Sequence, residues 1–410
     1  MANTILTSQI ITREAQRILH QKLNIVGNMN RQYDDRFAKR GAKIGTSLDL
    51  RLPAKFTVRT GSSYSGQNVV ERKVNLPVAT VKGIDMAISD LEMALSLDDF
   101  SKTILEPAMA QLAAQIEYDA INALYKYVPN YVGTVSTQLD YKKFQQAGQV
   151  LTENLAPSSQ RCFILNPSSR VEFSDAVKGL FQSSTNIENQ YKEGIVGRTG
   201  GFDVFENTMI PAHTTGTYGG TPLTNGANQG STGADNAYAS TSSLITDGWT
   251  SGGTSLKAGD IITIADVYEV HPETKQSTGK LKKFTVTADV SDTAGAITMT
   301  ISPAIIAGGA YQNVTARAGD NKAITVLGTS ATAYGQNIAF HKDAFAFVTA
   351  DLEVPNGVDM AAREVYDGVS MRFVRWFDGD AGEFKSRIDI LYGYAPVYPE
   401  LAVRAVHQLA

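Results

Sequence analysis

The 410-residue sequence contains a single cysteine, two tryptophans and five histidines. One cysteine excludes an internal disulfide framework, and Cys162, within the apolar run RCFILNP, is most simply a small buried core residue, with a catalytic thiol as the alternative. No GxSxG motif is present. The histidines are scattered and form neither HxxxH nor HxH pairs, so the sequence carries no local metal signature; they are His20, His213, His271, His341 and His407.

No apolar run reaches the length of a membrane span, and the first twenty residues lack the basic flank and apolar core of a secretory signal. A composition of 43% hydrophobic and 19% charged residues is typical of folded protein, long enough here for about two or three domains. The net charge of −4 gives no global attraction to nucleic acid, but residues 1–60 contain eleven basic and four acidic residues. This basic segment indicates a polyanion or an acidic partner surface, with a solvated helix face as the alternative.

The longest helical period lies in residues 95–131. Pro107 is tolerated at the start of a helix but not within one, so the pattern predicts a short helix from about Asp98 and a long one from about Pro107 that ends before Pro129. Such a helix is about 30 Å long and can serve as a spine. Its polar residues are expected to face solvent or a neighbour; they include Gln111, Gln115, Glu117, Asn122 and Lys126. The apolar residues expected in the core are Met109, Leu112, Ile116 and Leu124.

Before the spine, residues 5–25 have the spacing of an amphipathic helix, and residues 27–44 are polar and basic, as in an extended arm. Apolar and polar residues then alternate through residues 46–60 and 68–88, separated by the turn-rich sequence GSSYSGQ. Two such runs predict a long hairpin. Its tip, residues 60–67, has almost no apolar side chains and is expected to project from the body.

After the spine, residues 141–154 predict a helix, residues 161–166 a short buried strand, and Pro167 the start of another helix reaching about residue 179. The glycines at 194, 197, 200 and 201 do not fit a phosphate loop, because strand-like sequence follows them, and they are expected to form tight turns. The sequence DGDAGE, with Asp378, Asp380 and Glu383, lacks the spacing of a calcium loop and is better interpreted as a turn before a strand.

The composition changes at residue 214. Residues 214–255 are rich in Gly, Thr and Ser and are expected to be loop or to lie on a core formed elsewhere. From residue 256, short β-runs at regular spacing predict an antiparallel barrel or sandwich. Residues 211–333 therefore resemble an insertion into an α+β body, which resumes at residue 337 with a strand at 386–393 and a final edge segment from Pro399.

Four stretches together resemble the major capsid proteins of tailed bacteriophages with the Hong Kong 97-like fold, and in particular the coat-protein family of short-tailed Salmonella phages, which has an inserted β-domain. These stretches are MALSLDDFSKTILEPAMAQLAAQIEYDAI, GIVGRTGGFDVFENTMIP, NIAFHKDAFAFVTADLEVP and IDILYGYAPVYPELAVR. Their order matches the family and they span nearly the whole sequence. The fold class implied is α+β, a capsid fold with an inserted antiparallel β-barrel.

The resemblance implies six regions. They are an N-terminal helix and arm (1–45), an E-loop hairpin (46–88), a peripheral domain with the spine helix (89–135), a first part of the axial domain (136–210), a six-stranded inserted β-barrel (211–333), and the C-terminal parts of the axial and peripheral domains (334–410).

The function implied is that of a non-enzymatic coat protein that assembles with itself into hexamers and pentamers of an icosahedral shell. In the family this proceeds through a procapsid, with a scaffolding protein and a portal, that expands as double-stranded DNA is packaged against the inner face. The implied location is the virion, assembled in the bacterial cytoplasm, with no cofactor, metal or membrane. Two alternatives are an encapsulin-like cage with protein cargo and a carbohydrate-binding or adhesive β-protein.

Candidate contacts between subunits are the charged residues of the N-terminal helix, the hairpin and the inserted domain. The family's arm binds scaffold through an acidic helix, whereas the matching helix here is mixed in charge, and the matching loop of the insertion, residues 226–239, has one charge. Each exposed ion pair contributes only about 0–1 kcal/mol, so repetition would be needed, and a solubilising role is the alternative. The candidates are Arg13, Arg17, Lys55, Arg59, Glu71, Arg72, Lys73 and Asp235.

Overall fold

The computed structural model describes residues 8–34, 47–64, 66–87, 101–177, 198–234, 238–366, 368–379 and 383–409. Its α-helices are α1 (Ser8–Lys22), α2 (Glu106–Leu124), α3 (Tyr141–Glu153) and α4 (Pro167–Val177). Its strands are β1 (Asn30–Asp34), β2 (Ser47–Leu52), β3 (Arg72–Pro77), β4 (Thr80–Ala87), β5 (Tyr131–Gly133), β6 (Arg161–Leu165), β7 (Arg198–Thr199), β8 (Phe202–Glu206), β9 (Ala212–Thr214), β10 (Gly220–Thr224), β11 (Ser242–Trp249), β12 (Ser255–Leu256), β13 (Ile261–Val270), β14 (Ser277–Val286), β15 (Val290–Ser291), β16 (Ile297–Ser302), β17 (Ile324–Val326), β18 (Ala333–His341), β19 (Phe345–Ala350), β20 (Met360–Tyr366), β21 (Val369–Asp378), β22 (Glu383–Pro396) and β23 (Ala402–His407).

The described residues form two compact units. The first draws on Met1–Leu50, Val74–Ile121 and Phe345–Val397, and the second on Arg51–Lys73, Asn122–Ala344 and Tyr398–Ala410. Within the described residues, no helix is long and apolar enough to cross a membrane.

The first unit is built on a sheet with the strand order β1-β19-β22-β21-β20, to which β4 is added by antiparallel pairing with β22. Helix α1 lies against β20 and β21. Its Gln16 side chain donates hydrogen bonds to the carbonyl oxygens of Glu364 (2.6 Å) and Val369 (3.0 Å). These bonds fix the helix over the sheet through backbone groups that adjacent strands leave available.

The spine helix begins where predicted, since α2 starts at Glu106 and holds Pro107 in its first turn, where a missing N–H costs nothing. The separation into two helices was wrong for the described part, because a π-helical turn, Ser101–Leu105, runs directly into α2; Asp98 lies outside the described residues. A 3-10 turn, Tyr125–Tyr127, ends the helical path before Pro129.

The predicted hairpin of residues 46–88 is shorter than expected. Strands β2 and β3 form a two-stranded sheet, but β4 pairs instead along β22, from Lys385 with Ala87 to Tyr392 with Thr80. The second alternating run, residues 68–88, therefore divides between two sheets: β3 pairs with β2, and β4 pairs with β22, which lies far along the chain.

The second unit contains a mixed sheet with the order β5-β23-β18-β6-β8-β7. Helix α3 and strand β6 lie where they were predicted, and all five residues of β6 are buried. The core beneath α3 is aromatic: the ring centroid of Phe144 lies 4.6 Å from those of Phe163 and Phe173 and 5.3 Å from that of Phe202. Gly200 and Gly201 form the tight turn between β7 and β8, both with positive φ; glycines 194 and 197 lie outside the described residues.

The prediction of a final edge segment was wrong. Strand β23 lies inside the sheet, antiparallel to β18 on one side and parallel to β5 on the other, and all six of its residues are buried. The run AVRAVH contains no exposed side chain because its polar members, Arg404 and His407, find hydrogen-bond partners inside the unit.

The inserted region forms a six-stranded antiparallel sheet, β10-β11-β16-β14-β13-β17. It is nearly closed into a barrel, because Leu223 in β10 bridges Ala323 and Thr224 exchanges backbone hydrogen bonds of 2.9 Å with residues 321 and 322. The α+β fold with an inserted antiparallel barrel is therefore as predicted. Residues 214–255 are not only loop, since they supply β10 and β11 and two core side chains, Leu244 and Trp249.

Candidate assembly interface

The loop between β2 and β3, residues 53–71, is the most exposed apolar feature of the second unit. Val58 is 98% exposed and Tyr64 is 92% exposed, and Phe56 and Val69 are also mostly exposed. Single exposed apolar residues are ordinary, but four in one segment without helix or strand indicate a surface that another molecule covers.

A pair of hydrogen bonds between the Gln67 side chain and the Thr57 backbone joins the two limbs of this 53–71 loop. The Thr57 backbone N–H donates to Gln67 Oε1 (2.8 Å), and Gln67 Nε2 donates to the Thr57 carbonyl oxygen (2.6 Å). These two hydrogen bonds fix the separation of the two limbs, although the limbs do not pair as strands.

Most of the charged candidates on this loop and at the start of β3 are at the surface. Lys55 and Lys73 are exposed and have no carboxylate within ion-pair distance in the described residues. The protein around its amine partly excludes water and so lowers the pKa of Lys55, although the residue as a whole is exposed; Glu400 opposes this shift and Arg72 adds to it. Arg59 donates a hydrogen bond to the carbonyl of Gly61 in its own loop.

Glu71 already has a partner, because Arg51 Nε lies 3.9 Å from Glu71 Oε2 in an exposed pair. Arg72 differs from what was expected of an inter-subunit contact. It is only 5% exposed, and its guanidinium carbon lies 4.4 Å from the centre of the Tyr238 ring. Its guanidinium therefore makes its contacts within its own chain.

Arg13 and Arg17 of α1 also have acidic partners within the first unit. Arg13 Nε lies 3.5 Å from Glu364 Oε1, and Arg17 donates two hydrogen bonds to Glu14, of 3.0 and 2.6 Å. The Glu14 carboxylate raises the pKa of Arg17 through these bonds. Both pairs are exposed at the arginine, so each can exchange partners at little cost.

Two candidate regions cannot be placed in the same way. Asp235 lies outside the described residues. Of the acidic turn DGDAGE, Asp378 ends β21 and Glu383 begins β22, so the turn does precede a strand, while Asp380 lies outside the described residues. Within the described chain no group of three His, Cys, Asp or Glu side chains could hold a metal ion.

The spine residues Met109, Leu112, Ile116 and Leu124 are all buried. The sequence reasoning placed Glu117 on the polar, outward face, and this was wrong: Glu117 is 3% exposed. Its Oε1 accepts hydrogen bonds from the backbone N–H groups of Asn24 and Ile25, which follow α1. The helical pattern around a glutamate cannot reveal that its hydrogen-bond partner lies 93 residues away in the sequence.

A buried acid–base chain in the second unit also escaped the sequence reasoning. The hydroxyl of Tyr125 lies 3.0 Å from His213 Nδ1, and His213 Nε2 lies 2.8 Å from Asp260 Oδ1. The second oxygen of Asp260 accepts backbone N–H bonds from Lys257 and Gly216. The order of groups matches a catalytic triad, but all three side chains are buried, so the chain of bonds serves to fix the surrounding segments.

Arg404, fully buried in β23, extends this polar interior. Its Nε donates to the carbonyl of Val128 (2.9 Å) and its Nη1 to that of Gly259 (2.8 Å). Burial lowers the pKa of Arg404, with Tyr334, Tyr125 and Asp260 acting in the opposite direction. The lone thiol, Cys162, is likewise buried, and burial raises its pKa, so the thiolate needed by a catalytic cysteine is disfavoured.

Comparison with known proteins gives a consistent set of similarities. The family model of the P22 coat protein, gene protein 5, matches residues 32–405. The chain is similar to the major capsid protein of Acyrthosiphon pisum secondary endosymbiont phage 1, with 22% identity over 380 residues that cover 88% of each chain. It is similar in structure to a chain of Mycobacterium phage Che8, with 13% identity, 94% of this chain and 90% of that chain covered, and a TM-score of 0.45. It is also similar to the CUS-3 coat protein I-domain, with 26% identity, 28% and 98% covered, and a TM-score of 0.18.

Proposed function

The chain belongs to the P22 coat protein family and is a major capsid protein of the Hong Kong 97-like class, and on this premise we propose that its 53–71 loop is a principal contact between copies in the shell. The shell is built from repeated copies of the chain, so one surface feature is used many times. A contact that is weak in a single pair then acts throughout the assembly.

The observation that carries this proposal is the combination of exposed apolar side chains on the 53–71 loop with two unpaired cations, Lys55 on the loop and Lys73 at the start of β3. Covering Val58 or Tyr64 completely would contribute about 1.5–3 kcal/mol each. Lys55 and Lys73 would add about 0–1 kcal/mol for each exposed pair with an acidic neighbour. The apolar contacts therefore supply most of the affinity, and the charges favour the correct register.

The remaining features of the assembly belong to the same proposal. Copies form hexamers and pentamers of an icosahedral shell, assembled in the bacterial cytoplasm with a scaffolding protein and a portal, and the shell expands as double-stranded DNA fills it. Arg13 and Arg17 on α1, with the loop residues Arg59 and Glu71 and with Asp235, serve as further contacts between copies. The proposed division of the chain into functional regions is 1–45, 46–88, 89–135, 136–210, 211–333 and 334–410. The chain acts as a structural protein rather than as an enzyme.

Assembly of the purified full-length chain tests the role of the loop. The double variant Val58→Ser, Tyr64→Ser removes apolar surface that the monomer does not bury, so it should keep the far-ultraviolet circular dichroism and melting temperature of the wild type. Its yield of shells, measured by sedimentation and negative-stain microscopy, should fall sharply.

The matched control is Val171→Ser on α4, an exposed valine of the same unit that should assemble as the wild type does. Equal shell yields from the loop variant and the wild type would contradict the proposal. Charge reversal of Lys55 and Lys73 to glutamate should give a smaller defect that weakens as salt is raised, because exposed charges are screened.

A further inference from the structure

Arg72, the first residue of β3, lies in a cage of three tyrosines within the second unit. Its guanidinium carbon is 4.4 Å from the ring centre of Tyr238, 5.8 Å from that of Tyr311 and 5.6 Å from that of Tyr398. Its Nη2 also donates a 3.3 Å hydrogen bond to the Tyr238 hydroxyl. Aromatic faces attract a cation within about 6 Å of the ring centre, and more strongly when water is excluded.

The chemistry of this cage favours arginine over lysine. Within the described chain Arg72 has no carboxylate within ion-pair distance, and its Nε has no hydrogen-bond partner. The side chain is thus held chiefly by ring faces, which a planar guanidinium can stack against and a compact ammonium cannot.

Tyr311 fastens both limbs of the 53–71 loop with one hydroxyl. It donates a 2.9 Å hydrogen bond to the carbonyl oxygen of Val70, and it lies 3.4 Å from the backbone nitrogen of Lys55. The Val70 side chain packs with Tyr238 against a small buried cluster of the inserted region, formed by Ala304, Ile306, Ala310 and Tyr311.

Tyr238 and Tyr311 both belong to connections between strands of the inserted barrel, and they face each other with ring centroids 5.2 Å apart. The base of the loop, at Lys55, Val70 and Arg72, is therefore attached to the barrel, while Val58 and Tyr64 farther out are exposed. The loop is anchored at its base and free at its tip.

We propose that the inserted barrel is the mount that sets the direction of the 53–71 loop, with Arg72 as the positioning residue. The attachment of the loop to the barrel is a property of the single subunit. Only its effect on shell assembly rests on the proposed role of the loop. The barrel then acts on assembly indirectly, by holding an apolar contact surface at one angle.

The attachment can be measured in the monomer by double electron–electron resonance. Spin labels are placed at Val58→Cys on the loop and Thr274→Cys on the barrel, both exposed in the native chain; the native Cys162 is buried and should not react. The parent should give one narrow distance distribution. Arg72→Lys and Tyr311→Phe should each broaden that narrow peak, and the double variant should lose it completely.

Arg51→Ala is the matched control, because Arg51 is a neighbouring exposed arginine outside the cage, and it should keep the narrow peak. Fluorescence of Trp249 in the barrel core reports whether the barrel stays folded, and Tyr311→Phe keeps the ring in the cluster if Arg72→Lys does not fold. An unchanged distribution in Tyr311→Phe with the barrel folded would overturn the inference. A broadened distance distribution together with a normal yield of shells would support the attachment of the loop to the barrel and count against the assembly role of the loop.

Discussion

Replacing Glu117 should show most clearly whether its face of the spine helix α2 packs against the segment after α1 or is exposed to solvent. Its buried carboxylate accepts backbone hydrogen bonds from Asn24 and from Ile25, the latter at 2.6 Å. Glu117→Ala leaves both N–H groups without this acceptor. Ile25 is buried, so leaving its N–H unpaired costs about 1–3 kcal/mol, whereas Asn24 is exposed and its N–H can bond to water, at a loss of about 1 kcal/mol. The free energy of unfolding should therefore fall by about 2–4 kcal/mol.

A graded response is expected from Glu117→Gln. The amide keeps an acceptor oxygen but loses its charge, and a neutral hydrogen bond contributes about 1 kcal/mol less than a charged one. The loss should therefore be about 1–3 kcal/mol. Gln115 lies two residues before Glu117, on the exposed side of the helix. Gln115→Ala should therefore stay within about 0.5 kcal/mol of the parent.

Urea unfolding of the monomer measures these differences. Trp376 lies in the same unit as Glu117 and Trp249 in the other, so a Trp249→Phe background makes fluorescence report on the first unit. If Glu117→Ala were as mild as Gln115→Ala, the carboxylate would not hold the segment after α1, and the reasoning would fail.

Two further outcomes follow from burial. Leu112→Asp or Ile116→Asp should prevent folding of the first unit or shell assembly, because a carboxylate replaces a buried side chain; circular dichroism and gel filtration check this, and tolerance equal to that of Gln115→Ala would contradict it. Burial lowers the pKa of Lys283 to about 8, whereas in the unfolded chain the amine titrates near 10.4. Between these values the unfolded chain binds more protons, so stability rises with pH. Lys283→Met should reduce that rise between pH 7.5 and 9.5 by about 2 kcal/mol in urea unfolding, and an identical pH dependence in both proteins would refute it.

Local patterns were enough to predict much of the fold. Helix α3 and strand β6 follow from short windows of sequence, since period and flanking turn residues decide both. The barrel was predicted from the regular spacing of its later strands. Its first two strands were not, because their side chains are mostly small, and their place is set by pairing with β16 and β17.

Long-range pairing accounts for the main misses. The segment from residue 402 was expected at an edge, yet its neighbour β5 is a three-residue strand too short to be recognised from sequence. Glu117 was expected to face outward, and the contacts of Arg72 within its own chain were not predicted. Their partners, at residues 24–25 and 238–398, lie far along the chain, and no pattern within either segment identifies them.

The position of β23 has a consequence for the order in which the parts of the protein can fold during synthesis. The strands of the barrel lie within residues 220–326 and pair with one another, so they can fold while synthesis continues. The sheet beside them lacks its second strand until residues 402–407 have left the ribosome, and until then β5 and β18 present unpaired edges, which are prone to aggregate. Until residues 402–407 emerge, a nascent coat chain can therefore carry a folded barrel together with an incomplete, aggregation-prone sheet.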